Sequence, residues 1–208
     1  MKKSSFCYLA LIMSIVFVGC QKELSIDGLG GGSGAGGNSA LIGAWKFLEL
    51  SAKTESDVLV TDGADTERAI TTSQYTTMNN KGTVTFDATK MISSGIGYDI
   101  DADAKTYLYA NGMLLDSLDF PFAVSIPSSS GEAKYKAIGS DSLYFETGFF
   151  SVPGTNPQAS LPSGTKYTIV GNILTMNTNS VATKTETSAG LTTTQTNKVI
   201  GAIKLQKQ

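Results

Sequence analysis

Gly43-Ala44-Trp45-Lys46-Phe47-Leu48-Glu49-Leu50 is the stretch that decides the fold. Trp45, Phe47 and Glu49 alternate there with Lys46, Leu48 and Leu50. The repeat is two residues, that of a strand with one buried face, and not the longer repeat of a helix. The same period recurs downstream. Val84 and Phe86 alternate with Thr83 and Thr85, and Leu143 and Phe145 lie opposite Tyr144 and Glu146. Near the C-terminus Val199, Gly201, Ile203 and Leu205 alternate with Ile200, Ala202, Lys204 and Gln206. Thr, Tyr, Val and Ile are abundant throughout, as strands favour.

Turn chemistry separates these segments. Gly171-Asn172 stands between the apolar runs 167–170 and 173–176, and Asn111-Gly112 between 107–109 and 113–115. Both read as two-residue hairpin loops, which need positive φ and therefore favour Gly and Asn. The fold class is all-β: about eight to eleven short antiparallel strands joined by local turns, arranged as an up-and-down barrel, with a β-sandwich as the alternative. Two stretches read as longer loops. Residues 54–66 are polar and contain Asp62-Gly63, while residues 148–164 contain Pro153, Pro157 and Pro162. Prolines that frequent bar the second stretch from a sheet interior. Its Phe149 and Phe150 either tuck beneath the barrel or cover its mouth.

The N-terminus follows a different logic. Met1-Lys2-Lys3 is a short basic head, and residues 6–18 form an apolar run. A helix of about 13 residues reaches roughly 20 Å, too short to span a bilayer, and suits a secretory signal. The run ends Phe17-Val18-Gly19-Cys20. This resembles the bacterial lipobox, with Phe17 where Leu is usual. The resemblance implies cleavage between Gly19 and Cys20 and lipidation of Cys20, which anchors the protein to a membrane. One acyl chain holds a membrane only marginally, whereas two or three make release negligible.

The chain then divides into a signal over residues 1–19, a lipidated tether over 20–39 and a barrel domain over 40–208. Seven of the ten residues 28–37 are Gly, so the tether cannot bury enough surface to order itself. No Walker lysine follows these glycines and no strand precedes them, which excludes a phosphate-cradling loop. Gln21-Lys22-Glu23 resembles the export signal of Bacteroidetes lipoproteins. That implies an outer-membrane location, with the cell surface favoured over the periplasmic face.

Gly43-Ala44-Trp45, at the start of the first strand, resembles the Gly-X-Trp signature of the lipocalins and of lipocalin-like domains in Bacteroidetes lipoproteins. The resemblance implies an eight-stranded barrel, closed at one end, with a cavity for a small apolar ligand. In that family the Trp packs across the closed end, often beneath a basic residue from the last strand. Trp45 takes the first role, and Lys204 is the expected cation–π cap.

Composition removes several chemistries. Without Lys2 and Lys3, 14 basic residues remain against 18 acidic ones, and Arg68 is the only arginine. No basic cluster exists to neutralise phosphates, so nucleic acid is not an expected partner. Cys7 leaves with the signal and Cys20 takes lipid, so the mature domain has no thiol and no histidine. Cys–His and Ser–His–Asp machinery and His- or Cys-based metal sites are thereby excluded. No catalytic residue, cofactor or metal site is assigned. Asp99, Asp101 and Asp103 alternate in a way that could suit calcium, but Ala104 and Ala110 replace the Gly and Glu of an EF-hand loop. They read as a solvated acidic edge. Asp116-Ser117-Leu118 and Asp141-Ser142-Leu143 resemble the short O-glycosylation acceptor of exported Bacteroidetes proteins, and turn chemistry explains the second equally well. The functional expectation is a lipid-anchored binding module for a small apolar ligand. The alternative is an accessory envelope lipoprotein with a filled barrel, acting through protein contacts.

Overall fold

The computed structural model describes residues 39–146 and 163–208. The signal, Gly19, Cys20, nearly all of the tether, and Phe149 and Phe150 lie outside those residues. The strands are β1 (Gly43–Asp62), β2 (Asp65–Thr76), β3 (Met78–Phe86), β4 (Lys90–Ala110), β5 (Met113–Ile138), β6 (Ser142–Phe145), β7 (Ser163–Val170), β8 (Ile173–Ser188) and β9 (Leu191–Lys207). No helix occurs among the described residues. All pairings are antiparallel.

β9 pairs back onto β1 and closes the sheet into a ring. The fold is an up-and-down β-barrel, not a sandwich. β2 and β3 share one place in that ring: both pair with β1 on one side and with β4 on the other. Nine strands therefore make eight ring positions. The break falls at Thr77, whose hydroxyl accepts from Leu50 N at 2.9 Å while its own N–H donates to Leu50 O at 2.8 Å.

The strands are longer than the sequence suggests. Residues 54–66, expected to be a loop, are mostly strand: β1 runs to Asp62 and β2 begins at Asp65. The pairing Thr54↔Ser73 to Asp62↔Asp65 is unbroken. The stretch is polar because its outer face meets solvent and, beyond Thr54, its residues are only partly buried. The expected hairpin loops occur at Asn111-Gly112 and Gly171-Asn172, with φ of 48° and 77° in the first. A third, unanticipated one uses Ala189-Gly190.

β1 itself is not a regular strand throughout. Phe47 pairs with Leu205 but Glu49 pairs with Lys204, so Leu48 is an extra residue in a β-bulge. The bulge resets the alternation. Trp45 and Phe47 point inward, then Leu50, Ala52 and Thr54 do, while Glu49 turns outward to pair with Lys204.

One end of the barrel is packed solid. Leu41, Trp45, Phe47, Phe86, Leu143, Phe145, Leu174 and Leu205 are essentially inaccessible there. Burying each large side chain of this kind contributes about 1.5–3 kcal/mol. Phe86 meets Tyr135 edge-on at 5.9 Å, and Tyr135 meets Phe145 at 6.0 Å. Two tyrosine hydroxyls tie down turns at this end: Tyr135 donates to Asp87 O and Tyr167 to Ser140 O.

Candidate functional site

Above this floor the inward side chains become small. Ala52 on β1, Gly201 on β9, Thr178 on β8 and Thr165 on β7 lie side by side in one row of the wall, in a layer that larger residues would fill in a barrel of this size. A cavity of about 750 Å³ results, bounded further by Tyr75 and Leu143. Ligand pockets usually occupy roughly 300–1,000 Å³. Gly201 is held small by its neighbours, because a Cβ would lie 3.3 Å from Ser51 O and 3.4 Å from Thr178 Cγ2. A smaller void of about 150 Å³ lies among the packed side chains between Phe47, Tyr98 and Met176.

Among the described residues the wall is uneven in height. β6 pairs only with residues 135–138 of β5, and β7 meets β8 only as far as Asn177. Beyond those points the paired wall is β5-β4-β2-β1-β9-β8. Leu118 and Phe120, on the inner side of β5, consequently remain 50% and 41% exposed.

The cavity walls differ in character. Tyr75, with its ring 6.4 Å from that of Phe122, and Leu143 form an apolar side. Thr165 and Thr178 form a side of hydroxyl groups, and the buried Asn197 lies further along β9, opposite Ser56. Thr165 Oγ1 donates to Asn177 O at 2.7 Å, and Gln195 Nε2 donates to Asn197 Oδ1 at 3.4 Å. Burial pushes the Tyr98 hydroxyl up to about 12. It raises Tyr75 too, with a smaller contribution from the charge of Tyr98. Both phenols are neutral at physiological pH.

Gly43 and Trp45 lie at the packed end. The Trp45 Nε1–H donates to Leu41 O at 2.8 Å, fixing the indole. The cation above it is Lys207, not Lys204: Lys207 Nζ lies 4.5 Å from the ring centroid. It also donates to Ile42 O at 2.5 Å and to Ala40 O at 3.3 Å. Gly43, with φ of 122°, leaves room for this ammonium, which a Cβ would approach to 3.1 Å. Lys204 instead pairs with Glu49 at 2.7 Å on the outer surface. The alternation Val199, Gly201, Ile203, Leu205 carries the inward face on to Lys207, so the signal was present in the sequence.

Asp99, Asp101 and Asp103 share the outward face of β4, with Ile100 and Ala104 buried on the other. Asp99 accepts from Ser125 Oγ at 2.5 Å and from Asn79 Nδ2 at 2.7 Å, and these bonds hold its carboxyl below the usual range. Among the described residues no group of three or more His, Cys, Asp or Glu could hold a metal ion. Ser117 N donates to Asp116 Oδ1, and Ser142 Oγ donates to Asp141 Oδ1.

No family model and no curated protein matches this sequence. Two solved structures of Ail, the attachment invasion locus protein of Yersinia pestis, align with it at 9% identity. One is the complex with the heparin analogue sucrose octasulfate, with a TM-score of 0.18, and the other scores 0.16. Each alignment covers 75% of this chain and 97% of Ail. Similarity that low does not establish a shared fold, and the barrel rests on the strand pairing alone.

Proposed function

We propose that this protein is a lipid-anchored, non-catalytic envelope lipoprotein of lipocalin-like type whose barrel binds a small, largely apolar molecule. The cavity of about 750 Å³ carries this reading, because a barrel serving only as a scaffold is normally filled by its own side chains. The small side chains around it give a ligand space, and among the described residues the shortness of β6 and β7 gives it a route in. Native mass spectrometry, with extraction of co-purified lipids, tests it. One recurring bound species is expected, and repeated release of ligand-free protein supports the accessory reading instead.

The anchor rests on Val18-Gly19-Cys20 and the Gly-rich tether behind it. Cys20 takes the lipid after cleavage at Gly19, placing the barrel at the outer membrane. Incorporation of a fatty-acid analogue into wild type and not into Cys20→Ala is the expected result, and equal labelling sinks it. Surface display follows from Gln21-Lys22-Glu23. Protease treatment of intact cells should remove the barrel, and full protection places it on the periplasmic face. Neither nucleic acid nor a cofactor has a role in this proposal.

A further inference from the structure

The inner wall of the barrel has an unusual charge distribution. On β1 the inward residues above the floor are Leu50, Ala52, Thr54, Ser56, Val58 and Val60. Facing positions on the neighbouring strands carry Tyr75, Thr71, Asn197 and Thr178, and none has a charge. The first charged inward residues occur at the rim. Glu67 pairs across from Val60, and Asp116 lies on the same lateral row as Val58 through Ala69 and Leu108. Lys184 and Glu186 meet Gln195 and Thr193 at that height and pair with each other. Lys53 and Lys166 flank the cavity, but both are exposed and alternate with buried neighbours that point inward.

We infer that the cavity takes an uncharged amphiphile, its apolar body against Tyr75 and Leu143 and its hydroxyl, ester or amide group against Thr165 and Thr178. This deepens the binding reading above and rests on it. An anionic head group drawn to that depth would lose its hydration and meet no inward-pointing cation, and a cationic one would meet no inward-pointing carboxylate. A neutral polar group exchanges its water bonds for those of the threonine side chains. The rim acts in the same sense, since Glu67 and Asp116 repel an approaching anion while Lys184 is engaged by Glu186.

The test uses two probes that differ only in charge: N-phenyl-1-naphthylamine, which is neutral, and 8-anilinonaphthalene-1-sulfonate, its sulfonated counterpart. Both are titrated by fluorescence into the full chain. Ala52→Leu, which fills the layer, is run in parallel so that only binding lost in the variant is counted. The neutral probe is expected to bind at least about tenfold more tightly, given the cost of burying an unpaired sulfonate. Thr178→Leu serves as a second filling variant should Ala52→Leu misfold. Thr178→Lys, which adds a cation to the wall, is expected to move the preference toward the sulfonate. Equal or tighter binding of the sulfonate by wild type, sensitive to the filling variants, overturns the uncharged ligand and leaves the binding reading standing. If neither probe shows binding that the filling variants remove, the binding reading itself fails.

Discussion

Replacing Lys207 by Met removes the cation above Trp45 while keeping an apolar stem of similar length. Lys207 contributes a cation–π contact at 4.5 Å and charge-assisted bonds to Ile42 O and Ala40 O. A partly desolvated cation–π contact adds about 1 kcal/mol, and hydrogen bonds to a charged group about 1.5–3 kcal/mol. Some of that is recovered by the Met side chain, so Lys207→Met should cost about 2–3 kcal/mol. Lys204→Met is the matched control. Its ammonium pairs with Glu49, but the two side chains are 48% and 33% exposed, and such pairs contribute about 0–1 kcal/mol. Urea denaturation can be followed through Trp45, the sole tryptophan, whose ring lies directly beneath the deleted charge. At about 2–4 °C per kcal/mol, the first variant should lower Tm by roughly 4–12 °C and the second by under about 4 °C. Equal losses, or a larger loss for Lys204→Met, would refute the assignment of Lys207 as the clamp on the packed end.

Gly82 and Gly112 form a second matched pair. Both have positive φ, but a Cβ on Gly82 would lie 2.6 Å from the Gly95 carbonyl whereas one on Gly112 meets nothing within 4 Å. Gly82→Ala should therefore cost about 3–4 kcal/mol and Gly112→Ala about 1 kcal/mol by denaturant titration, and equal costs would contradict the close approach of β3 and β4. Asp87 accepts from the N–H groups of Thr89 and Lys90, which hold its carboxyl below the usual range. A lowered pKa in the folded state stabilises the protein above the unfolded-state value, about 3.9. That stability should disappear as pH falls through the folded value. Asp87→Asn should flatten this acid limb, and an unchanged limb would remove Asp87 from it. Calorimetry with calcium should give no binding heat, since Asp99 is already engaged by Ser125 and Asn79. Heat that disappears in Asp101→Asn would restore the site.

The period-two pattern around Trp45, the Asn111-Gly112 and Gly171-Asn172 loops and the acidic edge at Asp99–Asp103 were legible because each depends on a few neighbouring residues. The upper half of the barrel was not. Residues 54–62 carry polar side chains on both faces around Val58, Leu59 and Val60, and beyond Thr54 none is fully buried, so they resembled a loop. The cavity was equally hidden. Ala52 shows as a gap only when Thr165, Thr178 and Gly201 arrive beside it from strands more than a hundred residues away.

By itself, then, the sequence determined the strand character, several turns, and the alternating face Val199, Gly201, Ile203 and Leu205 of β9. Alternation and turn preference are properties of adjacent residues. Only the tertiary structure decided which side of β1 is inner beyond Phe47. A bulge is defined by counting residues against a partner, and Leu48 is extra only relative to Leu205 and Lys204. That single offset turns Glu49 out, brings Leu50, Ala52 and Thr54 in, and so makes the wall of the cavity.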